Sequence, residues 1–337
     1  MLASVKRHIR LRAVRKRAAI LTYHSIVNEP LPIHPWIHLR SSQFEQQVAF
    51  LARHYNVVSL STLLMNMREK RLAPRTVALT FDDGFSNNYS TAFPILRKYK
   101  VPATIFVTAG LVDTDNIIWT DTLACLLERL WNSEVDFLGV HYSLCSPDDA
   151  LAAYRAIVSV LKTYHPAMIG REVAGLLKRT GITTEDLRDT VLYRNTRMLT
   201  RKQLEEMHAS GLIEIGSHTL DHAIVSRLTD QEAYRQLLES KRTLEQYLGE
   251  IRSFAYPNGG EGDFSGVHRA MAEGVGYSAV LTSITGMVTY DSDPLQLPRI
   301  GVGRDMTIDE LDYLLSGGAV FPAQRLREWI SAYITGY

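Results

Sequence analysis

The chain alternates between short apolar runs that are typical of strands and amphipathic stretches that are typical of helices. One helical pattern, for example, places Phe44, Val48 and Leu51 on a single face. Strands that alternate with helices build parallel sheets, because each parallel connection has to cross the sheet. The sequence therefore predicts an α/β fold with a parallel sheet. Strand-like runs recur at residues 19–23, 56–60, 76–81, 103–107, 213–216, 253–256, 278–281 and 297–302.

The alternation stops between residues 113 and 198, where consecutive helical patterns replace it, for example at 151–161 and 169–177. This segment is predicted to be a helical insertion. It leaves a strand next to the one that carries Asp82, so we expect it on the side where parallel barrels carry their chemistry. A lid or substrate platform is one interpretation, and additional packing is the other.

Two adjacent acids, Asp82 and Asp83, follow the apolar run at 76–81 and precede Gly84. At a strand end, one carboxylate can bind a metal while its neighbour transfers a proton. The alternative for such a pair is a helix cap beside a solvated acid.

Two histidines, His218 and His222, follow another strand-like run and are four positions apart. A pair at this spacing also occurs on polar helix faces and in packed cores. Because the acids and the histidines both follow apolar runs and precede polar segments, we interpret them together as a metal site with two His ligands and one Asp ligand.

The composition predicts a globular protein with reduced thiols. A chain of 337 residues with 46% hydrophobic content can bury a full core as one large domain or as a domain with an insertion. Cys125 and Cys145 form neither a CxxC pair nor a secreted-type framework, which favours a packing role in a cytosolic compartment.

Residues 1–17 form a basic arm, with seven Lys and Arg residues and no acid, on a chain of net charge +1. The arm lacks the apolar centre of a secretory signal, and no run approaches a membrane span. Its loosely periodic apolar residues would suit a helix on an anionic leaflet, with a solvated basic tail as the alternative. Nucleic-acid binding is disfavoured, because nothing aromatic interleaves with the charges. We expect a cytoplasmic protein, peripheral at the cytoplasmic face of the membrane.

Three motifs occur in order along the chain: Thr80-Phe81-Asp82-Asp83-Gly84, His218-Thr219-Leu220-Asp221-His222 and Phe254-Ala255-Tyr256-Pro257-Asn258-Gly259. They resemble those of the polysaccharide deacetylases with the NodB-homology fold, also called carbohydrate esterase family four. The resemblance covers residues 19–110 and 199–302. It implies a distorted (β/α)-barrel at 18–337 that is interrupted by the 113–198 insertion.

The resemblance also implies a role for each motif residue. Asp83, His218 and His222 would hold a divalent metal, most often zinc, with positions open for water and substrate. Asp82 would be the general base that takes a proton from water. Asn258 would donate its backbone N–H to the oxyanion.

The chain departs from the family pattern at two positions. Ala255 stands where the family often has an Arg beside the base, and the late Leu-x-His that supplies the proton donor is missing. His24, in an early Tyr-His pair, resembles the N-terminal His of members with a permuted barrel, including poly-N-acetylglucosamine deacetylases. We therefore assign the acid to His24, with a core role as the alternative. Arg299 would replace the missing Arg, or would be structural.

The implied activity is hydrolysis of an acetamide on an N-acetylated sugar. The substrate would be a glycan or a lipid-linked intermediate, and acetate and a free amine would be released. The same resemblance admits another C–N hydrolase, such as a deformylase or a cyclic amide hydrolase. A glycan-binding module without activity is the alternative from a different class, although such a module would have no use for Asp82 beside the metal ligand.

Overall fold

The computed structural model describes residues 17–33 and 35–316. Residues 1–16 of the predicted arm, and the last part of the predicted barrel region from 317 onward, lie outside these ranges. The strands are β1 (Arg17–Tyr23), β2 (Ser25–Val27), β3 (His38–Arg40), β4 (Asn56–Val57), β5 (Thr76–Phe81), β6 (Ala103–Val107), β7 (Glu134–Phe137), β8 (Val140–Ser143), β9 (Ile213–Ser217), β10 (Ser253–Ala255), β11 (Ala279–Thr285), β12 (Val288–Thr289) and β13 (Leu297–Gly301).

Helices connect most of these strands. They are α1 (Ser41–His54), α2 (Leu60–Arg68), α3 (Phe93–Tyr99), α4 (Trp119–Arg129), α5 (Pro147–Leu161), α6 (Pro166–Thr180), α7 (Thr184–Leu187), α8 (Val191–Thr196), α9 (Arg201–Ala209), α10 (Asp230–Leu248), α11 (Gly266–Val275) and α12 (Ile308–Leu315). No helix within the described ranges is both long enough and apolar enough to cross a bilayer.

Seven parallel strands close into a barrel in the order β1-β5-β6-β9-β10-β11-β13. Closure results from β1, which pairs in parallel with β5 along its length and with β13 on its other side. The short β4 extends the sheet beside β5, and β12 pairs antiparallel with β1. The predicted α/β barrel is confirmed, with helices around the strands.

The barrel strands form where the sequence is apolar without interruption. Every residue of β5 is buried, as expected for a parallel strand that is covered on both faces. The surrounding helices begin at side-chain caps, such as the capping box of Thr229 and Glu232 at the start of α10. The apolar runs and the caps are local signals, which explains why the positions of strands and helices could be predicted from the sequence.

Two predicted strands differ from the observed ones by more than two residues at one end. The run at 56–60 forms a strand only over β4, because Ser59 caps the helix that begins at Leu60. The run at 278–281 continues as β11 to Thr285. The short strands β2, β3 and β12 were not predicted, because three or fewer residues carry no detectable periodicity.

The segment 113–198 has a hydrophobic core of its own. Buried side chains of α4, α5, α6 and α8 form one cluster, which also takes in Trp36 and Phe85 from the rim of the barrel. The prediction of consecutive helices is wrong at one place, because β7 and β8 form an antiparallel hairpin. In β7 only Val135 and Phe137 are buried. This alternation is the strand pattern, but it is too short to stand out beside the helices.

The two cysteines have different environments. Cys125 is fully buried in α4, which agrees with the packing role predicted for it. Cys145 is exposed, so that prediction is wrong for this residue. Both are free thiols.

Candidate active site at the carboxyl ends of the barrel strands

The predicted site residues follow the carboxyl ends of neighbouring barrel strands. His24 follows β1, Asp82 and Asp83 follow β5, and His218 follows β9. Strand pairing fixes their spacing, since the N–H of Asp82 donates to the carbonyl of Tyr23 at 2.9 Å. In a parallel barrel all strand ends of one kind share one rim, so residues far apart in sequence meet there.

Asp83, His218 and His222 form the centre of the site. The Nε2 atoms of His218 and His222 lie 3.4 and 3.2 Å from the same Asp83 Oδ1 atom. All three residues are buried, and one ligand atom from each lies within 4.8 Å of the others. One carboxylate oxygen and two imidazole nitrogens are a donor set that divalent transition metals accept, so the group fits a metal ion. His218 and His222 therefore do not lie on a solvated helix face.

A second contact orients His218. Its Nδ1 lies 2.8 Å from the backbone carbonyl oxygen of Ala255. A carbonyl can only accept a hydrogen bond, so Nδ1 carries the proton and Nε2 keeps its lone pair for a metal. The contact also ties the His motif to the end of β10.

Three residues of the site have a left-handed backbone although none is a glycine. The φ angles are 75° at Asp83, 62° at His222 and 62° at Asn258. Such conformations cost about 1–3 kcal/mol each and concentrate at functional sites. The His motif is accordingly a loop and not a turn of helix. This loop packs closely against Gly110, because a Cβ at Gly110 would stand 2.6 Å from the carbonyl oxygen of Leu220.

Asp82 has a different partner from Asp83. Arg299 donates to both of its carboxylate oxygens, from Nη1 to Oδ1 at 2.7 Å and from Nη2 to Oδ2 at 2.6 Å. Arg299 is completely buried, and its Nε also donates to the carbonyl of Thr282 at 2.8 Å. Burial by itself would raise the pKa of Asp82, but the Arg299 guanidinium together with His218 and His24 outweighs burial, and the pKa lies below the ordinary value. Arg299 thus keeps Asp82 ionised.

His24 lies at the same rim and is buried against the Trp36 ring, with centroids 5.4 Å apart. Burial lowers the pKa of His24, while the negative charges of Asp83 and Asp82 oppose the shift. A histidine with a lowered pKa gives up its proton readily once protonated. His24 therefore lies at the rim that carries both acids, and its role as the acid stays a prediction.

Asn258 lies in the turn after β10, and its side chain is held from two sides. Its Nδ2 donates to Asp263 Oδ2 at 2.5 Å, and Lys162 Nζ donates to its Oδ1. Burial lowers the pKa of Lys162 to about 7, and Asp263 works against that shift.

Sequence reasoning missed Lys162 and Asp263, and also the buried Asp121 of α4. Burial and then the negative charge of Asp83 raise the pKa of Asp121 well above its ordinary value. Lys162 and Asp121 belong to the insertion. A single acid or lysine in a helical segment carries no local signal for a site that is formed by another part of the chain.

The comparisons with known proteins identify the family. The family model described as polysaccharide deacetylase matches residues 69–141 and 144–280. The chain belongs to the polysaccharide deacetylase family. The match includes most of the 113–198 segment, which the motifs alone had placed outside the resemblance. It starts after His24 and ends before Arg299.

Relatives of this family member include a putative polysaccharide deacetylase, YxkH, from Bacillus subtilis. It is 22% identical over 291 residues, which are 86% of this chain and 72% of YxkH. A poly-beta-1,6-N-acetyl-D-glucosamine N-deacetylase of Staphylococcus aureus is 38% identical over 76 residues. That match spans 22% of this chain and 26% of the relative.

Solved structures of deacetylases share the fold. The Streptococcus pyogenes deacetylase PplD in complex with acetate superposes with a TM-score of 0.57 at 19% identity, over 89% of this chain and 98% of PplD. IcaB from Ammonifex degensii gives 0.58 at 19% identity, over 89% and 97%. At this identity the likeness concerns the fold.

Proposed function

We propose that this deacetylase family member is a metal-dependent hydrolase that removes the N-acetyl group from an N-acetylated sugar of a glycan and releases acetate. The observation that carries the proposal is the separation of two adjacent acids. Asp83 faces His218 and His222, while Asp82 is paired with Arg299. One acid is therefore suited to hold a metal and the other to accept a proton.

Asp83, His218 and His222 would hold the metal, for which zinc is the first candidate. When bound, a divalent cation supplies Lewis acidity, which polarises the acetyl carbonyl and lowers the pKa of water at the site. The three side chains place that chemistry within the buried rim of the barrel.

Asp82 would act as the general base. Its carboxylate takes a proton from water as the water oxygen bonds to the acetyl carbon. Arg299 holds both carboxylate oxygens, so the base remains ionised and correctly oriented. The backbone N–H of Asn258 would donate to the carbonyl oxygen as negative charge develops on it.

His24 would be the general acid. It gives its proton to the sugar nitrogen as the C–N bond breaks, so the products are acetate and a free amine. Its burial beside the two acids supports this role.

The N-acetylated substrate class is supported by the Staphylococcus aureus relative, which is a poly-beta-1,6-N-acetyl-D-glucosamine N-deacetylase. A second C–N hydrolase activity, on a formyl or cyclic amide, would use the same groups. A binding module without activity is disfavoured by the buried Asp82–Arg299 pair, since a binder has no use for a second acid beside the metal ligand Asp83 and a buried charge pair is costly to maintain.

The test is acetate release from a panel of N-acetylated oligosaccharides by protein loaded separately with several divalent metals. O-acetylated and N-formylated analogues of the same sugars distinguish the alternatives, and Asp82→Asn is the control for contaminating activity. We expect acetate from the N-acetylated compounds only. Release of formate alone, or of nothing from any compound with any metal, would overturn the proposal.

A further inference from the structure

Lys162 connects the insertion to the turn that carries Asn258. It directly follows α5, and its Nζ donates to Asn258 Oδ1, 96 positions further along the chain. The contact joins two segments that belong to different hydrophobic clusters. It places a cationic side chain of the insertion beside the proposed oxyanion donor.

The orientation of the Asn258 amide is determined by its other partner. Asp263 Oδ2 accepts from Asn258 Nδ2 at 2.5 Å and also from the N–H of Gly260 at 2.8 Å. A carboxylate oxygen that accepts from Gly260 requires a donor from Asn258 as well, so the NH₂ group faces Asp263. The carbonyl end of the amide then has to face a donor, which Lys162 provides.

The backbone of Lys162 is itself held by the loop that follows the His motif. Arg227 Nε donates to the Lys162 carbonyl at 3.1 Å, and the N–H of Ser226 donates to the Asp263 carbonyl at 3.1 Å. These bonds link the insertion, the loop after His222 and the turn at Asn258. The position of Lys162 is thus tied to two of the loops that carry site residues.

The side-chain clamp acts on a residue with an unfavourable backbone. Asn258 has a φ of 62°, in the left-handed region, which costs a non-glycine residue free energy although Asn tolerates it better than most. The proposed donation from its backbone N–H to the acetyl oxygen depends on that conformation. Two hydrogen bonds of the Asn258 amide, one accepted from Lys162 and one donated to Asp263, oppose relaxation of the turn.

We propose that Lys162 is a positioning residue that holds Asn258 in its left-handed conformation, so that the insertion completes the oxyanion site of the barrel. The proposal rests on the deacetylase function proposed above. Lys162 acts through Asn258 and Asp263, because its Nζ donates to Asn258 Oδ1 and the same amide donates to Asp263 Oδ2. The insertion is then a part of the active site and more than a cover.

The main test compares Lys162→Met with Lys178→Met, which removes an exposed lysine from α6 of the same insertion. We expect kcat of Lys162→Met to fall about ten- to a hundredfold, the scale of a slightly misplaced catalytic group, with KM within about threefold of the parent. Metal content should not change. Lys178→Met should match the parent in all three quantities.

Hydrogen exchange provides a readout that needs no substrate. In Lys162→Met, amides in the peptide spanning 256–263 should exchange faster than in the parent, while peptides from β5 keep their protection. If the parent deacetylates no glycan, the proposed function fails, yet the exchange comparison still decides whether Lys162 holds the turn. Unchanged exchange at 256–263 would overturn the positioning role whatever the activity.

Chemical rescue excludes a general packing defect. In a Cys145→Ser background, Lys162→Cys is treated with 2-bromoethylamine, which converts the thiol into an aminoethyl thioether close to lysine in length. Recovery of both kcat and the slow exchange at 256–263 is expected, whereas the same treatment of the Cys145→Ser parent should change neither. If kcat of Lys162→Cys remains low after complete conversion, Lys162 has no positioning role. The same conclusion follows if kcat of Lys162→Cys already equals that of Lys178→Met before the treatment.

Discussion

The rim of the barrel and the insertion differ in how their side chains reach the site. At the rim, Asp82 and His218 are placed by strand register, since each follows a strand whose partners are fixed by backbone hydrogen bonds. Insertion residues are placed by helices with a separate core. Lys162 therefore reaches Asn258 through a side chain. Rigid strand ends suit the bond-making groups, and a separately packed segment suits groups that adjust them.

The largest effect should come from the metal ligands at the rim. Asp83→Ala, His218→Ala and His222→Ala each remove one of three protein ligands, so we expect loss of bound metal together with loss of acetate release. Elemental analysis of the purified variants measures the first, and an acetate assay measures the second. A full metal equivalent in all three variants would show that the site lies elsewhere.

Asp82→Asn should separate proton transfer from metal binding. The amide cannot take a proton from water, so turnover should fall about a hundredfold or more, the scale of a positioned acid or base. Metal content should remain at the level of the parent, because Asp82 faces Arg299 and not the histidines.

Arg299→Met is the matched variant on the other side of the pair. It leaves a buried carboxylate without its guanidinium, which should cost about 3–5 kcal/mol in the free energy of unfolding measured with urea. Near-normal turnover of Asp82→Asn, or an unchanged unfolding free energy of Arg299→Met, would contradict the roles given to the pair.

His24 should determine the alkaline side of the pH profile. The acid works only when protonated, so kcat/KM should fall as pH rises through the pKa of His24, which burial places below the ordinary value of about 6.5. His24→Ala should lose about a hundredfold in turnover and should no longer show this decline. Asp82→Asn keeps His24 and is the control, which should still show the decline of kcat/KM with rising pH. An unchanged alkaline limb in His24→Ala would exclude the assignment.

A core truncation in the insertion should affect stability more than chemistry. Leu126 is fully buried in the insertion cluster, and Leu126→Ala should lower the free energy of unfolding by about 2–5 kcal/mol. Well below the unfolding temperature, kcat should stay within a few-fold of the parent. Leu79→Ala, in the strand that leads to Asp82, is the matched barrel variant and should lower both. Equal losses of kcat in Leu126→Ala and Leu79→Ala would mean that the insertion core and the barrel core affect the chemistry to the same extent.

The smallest effect on activity should come from the basic arm, most of which lies outside the described residues. Strand β1 begins at Arg17, so deletion of residues 1–15 should leave the hydrolysis of a soluble substrate unchanged. If the arm docks on an anionic membrane, each basic residue contributes about 1 kcal/mol near the surface, and the attraction fades with salt. Sedimentation with anionic liposomes should then be lost on deletion. Equal sedimentation of the full and shortened chains would dismiss the membrane role.

Much of the barrel and its central acids could be predicted from sequence because their signals are local. The run at 76–81 is apolar throughout and is followed at once by Asp82 and Asp83, so strand, strand end and chemistry occupy eight adjacent positions. The spacing of His218 and His222 is equally local. The hairpin of β7 and β8 was missed because four-residue strands carry too short an alternation.

The amino-acid sequence by itself determined the parallel barrel, the adjacent acids and the histidine pair, because periodicity and short motifs are properties of neighbouring residues. Only the tertiary structure decided between the two roles expected of Arg299, which pairs with Asp82 across 217 positions, and showed that Lys162 reaches Asn258. Both contacts depend on barrel closure and on the packing of the insertion. These bring together side chains whose neighbours in sequence give no indication of the partner.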